Sequence, residues 1–237
     1  MIRKVGTITV ALLRQNRWLV LLLIAWPWIF LALLTLPGRN FSPDDIRSLL
    51  QQEYFYGIAL TMFLAASLLG AELRARRVAA VLCRAVSRNQ YLAALWMTAL
   101  VPAILFALSV FFSVWIAAAG IGFSLKILLP FILSLMLVEL WMTVCGVLYS
   151  LFLPALLASL ATGLTAVVLV AAGTLQLGSW LGFGSLLLPV LQENAGLGSI
   201  AGSQMGIAVV SMLLQVGVVA LLSQQIFRRK DLPSSGD

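Results

Sequence analysis

Six apolar stretches dominate this chain, each near the length needed to cross a hydrocarbon layer, and they leave it few folds to adopt. A helical span needs ~20 mostly apolar residues. Residues 18–37, 54–71, 91–119, 127–150, 154–176 and 205–227 meet that requirement. Each is expected to be helical, because an open strand cannot satisfy its backbone in lipid. The expected fold class is therefore an all-α integral membrane protein with six transmembrane helices. Composition agrees: only 10% of residues are charged and the mean hydropathy is +1.07, whereas roughly a quarter of a soluble domain is charged.

The charges set the orientation. Twelve Lys and Arg fall on one side: Arg3, Lys4, Arg14 and Arg17 before the first span, five arginines between spans two and three, and Arg228, Arg229 and Lys230 after the last. Three fall on the other side, Arg39, Arg47 and Lys126. The positive-inside rule makes the first side cytoplasmic, with both termini inside, in the inner membrane of a bacterial cell. The net charge of +7 is thus a matter of topology and carries no nucleic-acid signature, since aromatic residues are not interleaved with the basic ones. The opening resembles a secretory signal in outline. Its apolar run is too long, however, and no small-x-small site follows, so the first span is expected to remain.

Between the spans lie four informative segments. Residues 2–16 place Ile2, Val5, Ile8, Leu12 and Leu13 on one helical face and Arg3, Lys4, Thr7, Arg14 and Gln15 on the other. That pattern reads as an interfacial amphipathic helix or as a plain basic anchor. Ser42-Pro43-Asp44-Asp45 is a helix start, so a short surface helix is expected over 42–53. Residues 178–204 hold six glycines and an apolar run, Trp180–Leu191, too short to cross and of the length typical of re-entrant segments. A disordered tail is expected at 233–237, leaving 1–232 as a single membrane domain. Proline is expected to bend the first span at Trp26-Pro27-Trp28 and the third at Pro102.

The fourth segment, 71–91, carries most of the functional signal. Glu72 opens it, and Arg74, Arg76, Arg77, Arg84 and Arg88 follow with no further acid. At 100° per residue, Arg74, Arg77, Arg84 and Arg88 share one side of a helix, and Ala75, Val78, Ala79, Leu82 and Val86 another. Periodicity alone fits two readings: a docking helix for a soluble partner, or a basic loop held on anionic lipid.

Chemistry inside the membrane is sparse. The chain has no histidine, which removes a Ser-His hydrolase, a His-Glu-x-x-His metalloprotease and any haem or copper set. No aspartate lies in a span. Cys83 and Cys145 have no ligand spacing. One ionisable residue stands at mid-span, Glu139, and such an acid marks a substrate pathway by default or else bonds two helices together. Trp18 and Trp180 suit the interfacial belts. Trp26, Trp28 and Trp141 sit deeper, packed between helices or against an apolar substrate.

Glu72, the arginines, the aliphatic stretch, then Ala85-Val86-Ser87-Arg88 and Tyr91 together resemble the first cytoplasmic loop of type-2 ABC-transporter permeases. Val78 and Ala85 stand where glycine and proline are usual. The close, Ile226-Phe227-Arg228-Arg229-Lys230-Asp231-Leu232, is similar to the ending of many such permeases. The resemblance implies that 71–91 is a coupling helix, with Glu72 fixing its start and Arg74, Arg76, Arg77, Arg84, Ser87 and Arg88 meeting a separate ATP-binding cassette ATPase. It further implies that two permease subunits pair, with substrate moving between them, and that Trp180, Leu187 and Pro189 belong to an outer gate; Glu139, Trp141 and Trp28 are the candidates for lining the route. The chain has no Gly-x-x-x-x-Gly-Lys-Ser/Thr sequence. ATP and Mg would therefore be bound by the partner, with no cofactor and no enzymatic activity in this chain. Cargo by elimination is amphipathic or apolar: a lipid, peptide or drug exported from the cell. A self-sufficient channel or secondary carrier is the alternative, and it would need ionisable groups near the midplane.

Overall fold

The structure is a computed structural model, and it describes residues 2–35, 42–74, 86–118, 128–172 and 202–229. These are all helical or connecting; no strand occurs among them. Among the described residues seven helices run in order: α1 (Ile2–Gln15), α2 (Arg17–Leu34), α3 (Pro43–Arg74), α4 (Arg88–Ala118), α5 (Leu128–Ser150), α6 (Ala155–Ala172) and α7 (Gly202–Arg229). Among the described residues, three helices are long and apolar enough to cross a membrane: Arg88–Ala118, Leu128–Ser150 and Val209–Arg229. The pair Lys4–Gln15 and Arg17–Leu33, bent by 77°, passes the same test only when taken together, and Ala155–Leu169 is apolar but shorter.

The amphipathic reading of the amino terminus holds. In α1, Leu12 is buried and Lys4, Thr7, Arg14 and Gln15 are exposed. The helix lies across the start of α4, where the Thr9 hydroxyl donates to the Ala94 carbonyl at 3.4 Å. It turns into α2 at Asn16, whose amide donates to the Leu12 carbonyl at 3.0 Å. Helices α2 and α4 continue through Pro27 and Pro102.

One expectation is corrected. Residues 42–53 do not form a separate surface helix. They are the opening of a single 32-residue helix, α3, about 48 Å long at 1.5 Å per residue. The start is as expected: the Ser42 amide and hydroxyl both donate to Asp45 Oδ2 at 2.8 Å, and the Asp45 amide donates back to Ser42 Oγ at 3.3 Å. No glycine or proline follows until Gly57, so nothing breaks the helix. Ile46, Leu49, Leu50, Glu53 and Tyr54, at helical spacing, all turn inward and are fully buried.

Helix α5 is the hub, packed on α3, α4, α6 and α7 and buried along most of its length. Two apolar clusters fill the bundle, the first at one end and the second from its middle to the other end. One gathers Leu12 of α1, Leu68 of α3, Tyr91 of α4, Val147 of α5 and Phe227 of α7. The other gathers Leu31 of α2, Leu50 of α3, Val114 of α4 and Leu128 of α5. The carboxyl ends of α3, α5 and α7 therefore meet the amino end of α4 at the first cluster. Ser150 and Ala155 are joined by a tight turn in which the Phe152 and Leu153 amides both donate to the Tyr149 carbonyl.

Candidate functional site

The first cluster carries a polar latch at its rim. Ser87 caps α4: the Gln90 amide donates to Ser87 Oγ at 3.2 Å, and the Ser87 amide donates to Gln90 Oε1 at 3.1 Å. This is a reciprocal capping box, and Ser87-Arg88-Asn89-Gln90 displays its signature in the sequence. The cap aims Arg88 at the end of α7, where Nη1 donates to the Phe227 carbonyl at 3.2 Å and to the Arg228 carbonyl at 2.7 Å. A cation there satisfies carbonyls that a helix end leaves open. In return Arg228 Nε donates to Asn89 Oδ1 at 3.0 Å, and the rings of Tyr91 and Phe227 stack beneath at 6.2 Å. The two stretches on which the permease resemblance rests thus touch each other.

The second feature is the seam between α3 and α5. Glu139 is fully buried. Its Oε1 accepts from the Thr61 hydroxyl at 3.3 Å, and its Oε2 has no hydrogen-bond partner. Gly57 makes this fit possible: a Cβ there would meet the Phe106 ring, with Cδ1 at 2.9 Å, and Glu139 Oε1 at 3.0 Å. Three residues earlier on α3, the Tyr54 hydroxyl and Ser134 Oγ share a hydrogen bond at 3.3 Å. Glu53 stands one residue before the expected second span, buried, with neither carboxylate oxygen partnered. Burial pushes its carboxyl from the ordinary range up to about 8. Toward the latch the seam is closed, because a Cβ on Gly146 would stand 3.0 Å from Ala65 Cβ. Sequence reasoning missed Glu53 by placing it on a surface helix; its spacing from Ile46, Leu49 and Leu50 is the signal that finds it.

The residues expected along a substrate route are not brought together. Glu139 faces α3 and Phe106 of α4, whereas Trp141, two residues on, borders the opposite side of α5. There it lines an open, mostly apolar cavity of about 860 Å³ between α5, α6 and α7, with Cys145, Tyr149, Thr165 and Gln215. Tyr149 of α5 and Thr165 of α6, both lining it, share a hydrogen bond at 2.7 Å. Trp28 is 41% exposed on α2. Trp26 packs, stacking on Tyr56 of α3 at 4.2 Å. Trp18 is exposed beneath the Arg17 guanidinium. Glu72 and Arg74 lie in the last turn of α3. Arg76, Arg77, Arg84, Trp180, Leu187 and Pro189, with residues 75–85 of the expected coupling helix and residues 178–201 of the expected re-entrant segment, fall outside the described residues. Among the described residues, no cluster of His, Cys, Asp or Glu could hold a metal. No protein-family model and no curated protein matches this chain.

Proposed function

We propose that this chain is the six-span membrane subunit of an export-type ABC transporter, paired with a second permease subunit and driven by a separate ATPase that binds ATP and Mg. The observation that supports this reading best is the latch. Arg88, which ends the basic 71–91 segment, is hydrogen-bonded to the last turn of α7, so a displacement of that segment is passed directly to a helix bordering the cavity. The helix directions support six crossings, since the ends that meet at the latch are those the charge count places in the cytoplasm. The apolar cavity beside Trp141 suits an amphipathic cargo such as a lipid, peptide or drug.

The test is co-purification with a nucleotide-binding subunit. Arg77→Glu with Arg84→Glu is expected to abolish the complex while leaving the chain folded. Substrate transport by the purified chain alone, without nucleotide, would refute the proposal. That result would favour the second reading, a self-sufficient carrier, whose support is the buried acid Glu139 on the α3–α5 seam.

A further inference from the structure

The elbow between α1 and α2 carries charge that the protein does not neutralise. Helix α1 meets α2 at 77°. Asn16 holds the bend: its side-chain amide donates to the Leu12 carbonyl at 3.0 Å, and its own carbonyl accepts the Val20 amide. The inner face of α1 is fixed by protein, with Leu12 buried in the cluster that holds Tyr91 and Phe227 and Thr9 bonded to Ala94. With α2 crossing the bilayer, α1 therefore runs close to parallel with the membrane surface, at the level of the latch. Its outer side mixes apolar and basic groups. Val10 is 63% exposed and Trp18 73%. Arg14 follows Val10 by one turn on the same side of α1, and the Arg17 guanidinium lies 5.3 Å over the Trp18 ring; both arginines are exposed. Asp45, Glu53 and Glu139, the acids whose side chains are described, stand toward the far end of α3 and in the middle of α5, so none of them pairs with Arg14 or Arg17.

We propose that this elbow is a docking site for anionic phospholipid of the cytoplasmic leaflet, with Arg14 and Arg17 meeting headgroup phosphate and Trp18 and Val10 meeting the acyl chains. The two arginines are three residues apart, at most about 11 Å between Cα atoms. Guanidinium suits the task because its planar fork gives a phosphate two parallel N–H···O bonds. The exposed apolar groups favour lipid over a water-soluble partner. Tryptophan collects at the membrane–water boundary, where its ring meets hydrocarbon and its N–H meets headgroups, and arginine stems lie along apolar surface with the charge held at that boundary. The elbow also opens a crossing helix, so the chain itself brings these four residues to the bilayer edge. Charge selects among lipids. A zwitterionic headgroup carries its own ammonium and leaves both guanidiniums uncompensated, whereas an anionic one neutralises them. The inference rests on α2 being the first of the six proposed crossings and is independent of an ATPase partner.

The test uses the full chain alone in neutral detergent, incubated with phosphatidylglycerol or with phosphatidylcholine of the same acyl chains, and counts retained lipid by native mass spectrometry. Phosphatidylglycerol should be retained in preference. Arg14→Gln with Arg17→Gln should weaken that retention about tenfold or more, since each basic residue near an anionic surface is worth about fivefold. A matched pair, Lys4→Gln with Arg229→Gln, removes two exposed charges from the same side of the membrane and should leave most of the preference in place. Should the first pair fail to fold, Arg14→Lys with Arg17→Lys keeps the charge and loses the fork, and it should hold phosphatidylglycerol less well than the unaltered chain but still above phosphatidylcholine. Equal retention of the two lipids would assign the elbow to a soluble partner and overturn the proposal. So would an equal loss in the matched pair, which would reduce the effect to net charge, or release of phosphatidylglycerol by inorganic phosphate, which would make the site one for a free anion.

Discussion

Gly57→Ala is the sharpest single test of how the α3–α5 seam is built. A methyl at this position collides with the Phe106 ring edge and stands 3.0 Å from Glu139 Oε1. Overpacking of a tight core costs ~1–3 kcal/mol. Against that, alanine is favoured over glycine inside a helix by ~0.5–1 kcal/mol. The net expectation is a loss of ~1–2 kcal/mol, and at ~2–4 °C per kcal/mol for a chain of this size the thermal midpoint in detergent should fall by about 2–8 °C. The sign should reverse once the ring is gone. In a Phe106→Leu background the ring atoms nearest that methyl are gone and the Glu139 carboxylate can move by a few tenths of an ångström, so Gly57→Ala should be neutral or stabilising there. Gly206 and Gly217 serve as controls, because a Cβ at either meets nothing within 4 Å; alanine at those positions should not lower the midpoint. A double-mutant cycle reads the coupling directly. If Gly57→Ala costs the same beside Phe106 as it does in the Phe106→Leu background, the ring is not what the missing side chain accommodates, and the account of the seam fails.

Three further outcomes follow from the same geometry. Arg88→Ala should uncap α7 and cost ~1 kcal/mol or more for the lost charge-assisted hydrogen bonds, seen as faster amide exchange in the last turn around Phe227; unchanged protection there would show that the latch is not structural. Ser87→Ala should cost ~1 kcal/mol through loss of the cap, measured by thermal midpoint, with Ser87→Asp retaining most of the stability. Glu53 should make stability pH-dependent: its carboxyl binds its proton up to about 8 in the folded chain against 4.5 ordinarily, so between those values the folded state holds more protons. Stability is then fullest below 4.5, falls as pH rises through 8, and is flat beyond; Glu53→Gln should remove that slope, and a slope of the same size in the variant would place its origin elsewhere.

The helices themselves are legible in the sequence because apolar length and helix-start chemistry are local. Ser42-Pro43-Asp44-Asp45 caps α3 as its residues suggest, and the Leu12 face of α1 is the face that packs. Where helices merge is not legible. Charges at Asp44, Asp45 and Arg47 look like a surface segment, yet the inward spacing of Ile46, Leu49 and Leu50 carries the helix on without a break, and Glu53 goes in with them. The partners of long-range contacts are equally hidden: nothing in the stretch around Arg88 announces that it meets Phe227 and Arg228, some 140 residues away. Glu139 stands out by its charge alone, but Thr61 and Gly57, which determine what that charge can do, are ordinary residues in an ordinary apolar span.

Glu139 and Trp141 are two residues apart and so differ by about 200° around α5. The buried acid and the apolar cavity are thus on opposite faces of the same helix, and neither can contact a ligand bound at the other. Any coupling between them must be carried by movement of α5 as a body. Such movement is constrained at one end, where Val147 packs against Phe227 and Tyr91 under the latch, and is governed along the seam by whether α3 stays closed on Glu139. A change at the basic segment reaches both faces through the same helix ends: through α3, whose last turn leads into that segment, and through α7, which Arg88 holds. The arrangement makes a definite demand. Conditions that open the seam should alter occupancy of the cavity, and Thr61→Val, which weakens the seam without touching the cavity wall, should change the reactivity of the Cys145 thiol toward an apolar maleimide in a Cys83→Ser background. Unchanged reactivity would mean that the two faces of α5 act independently.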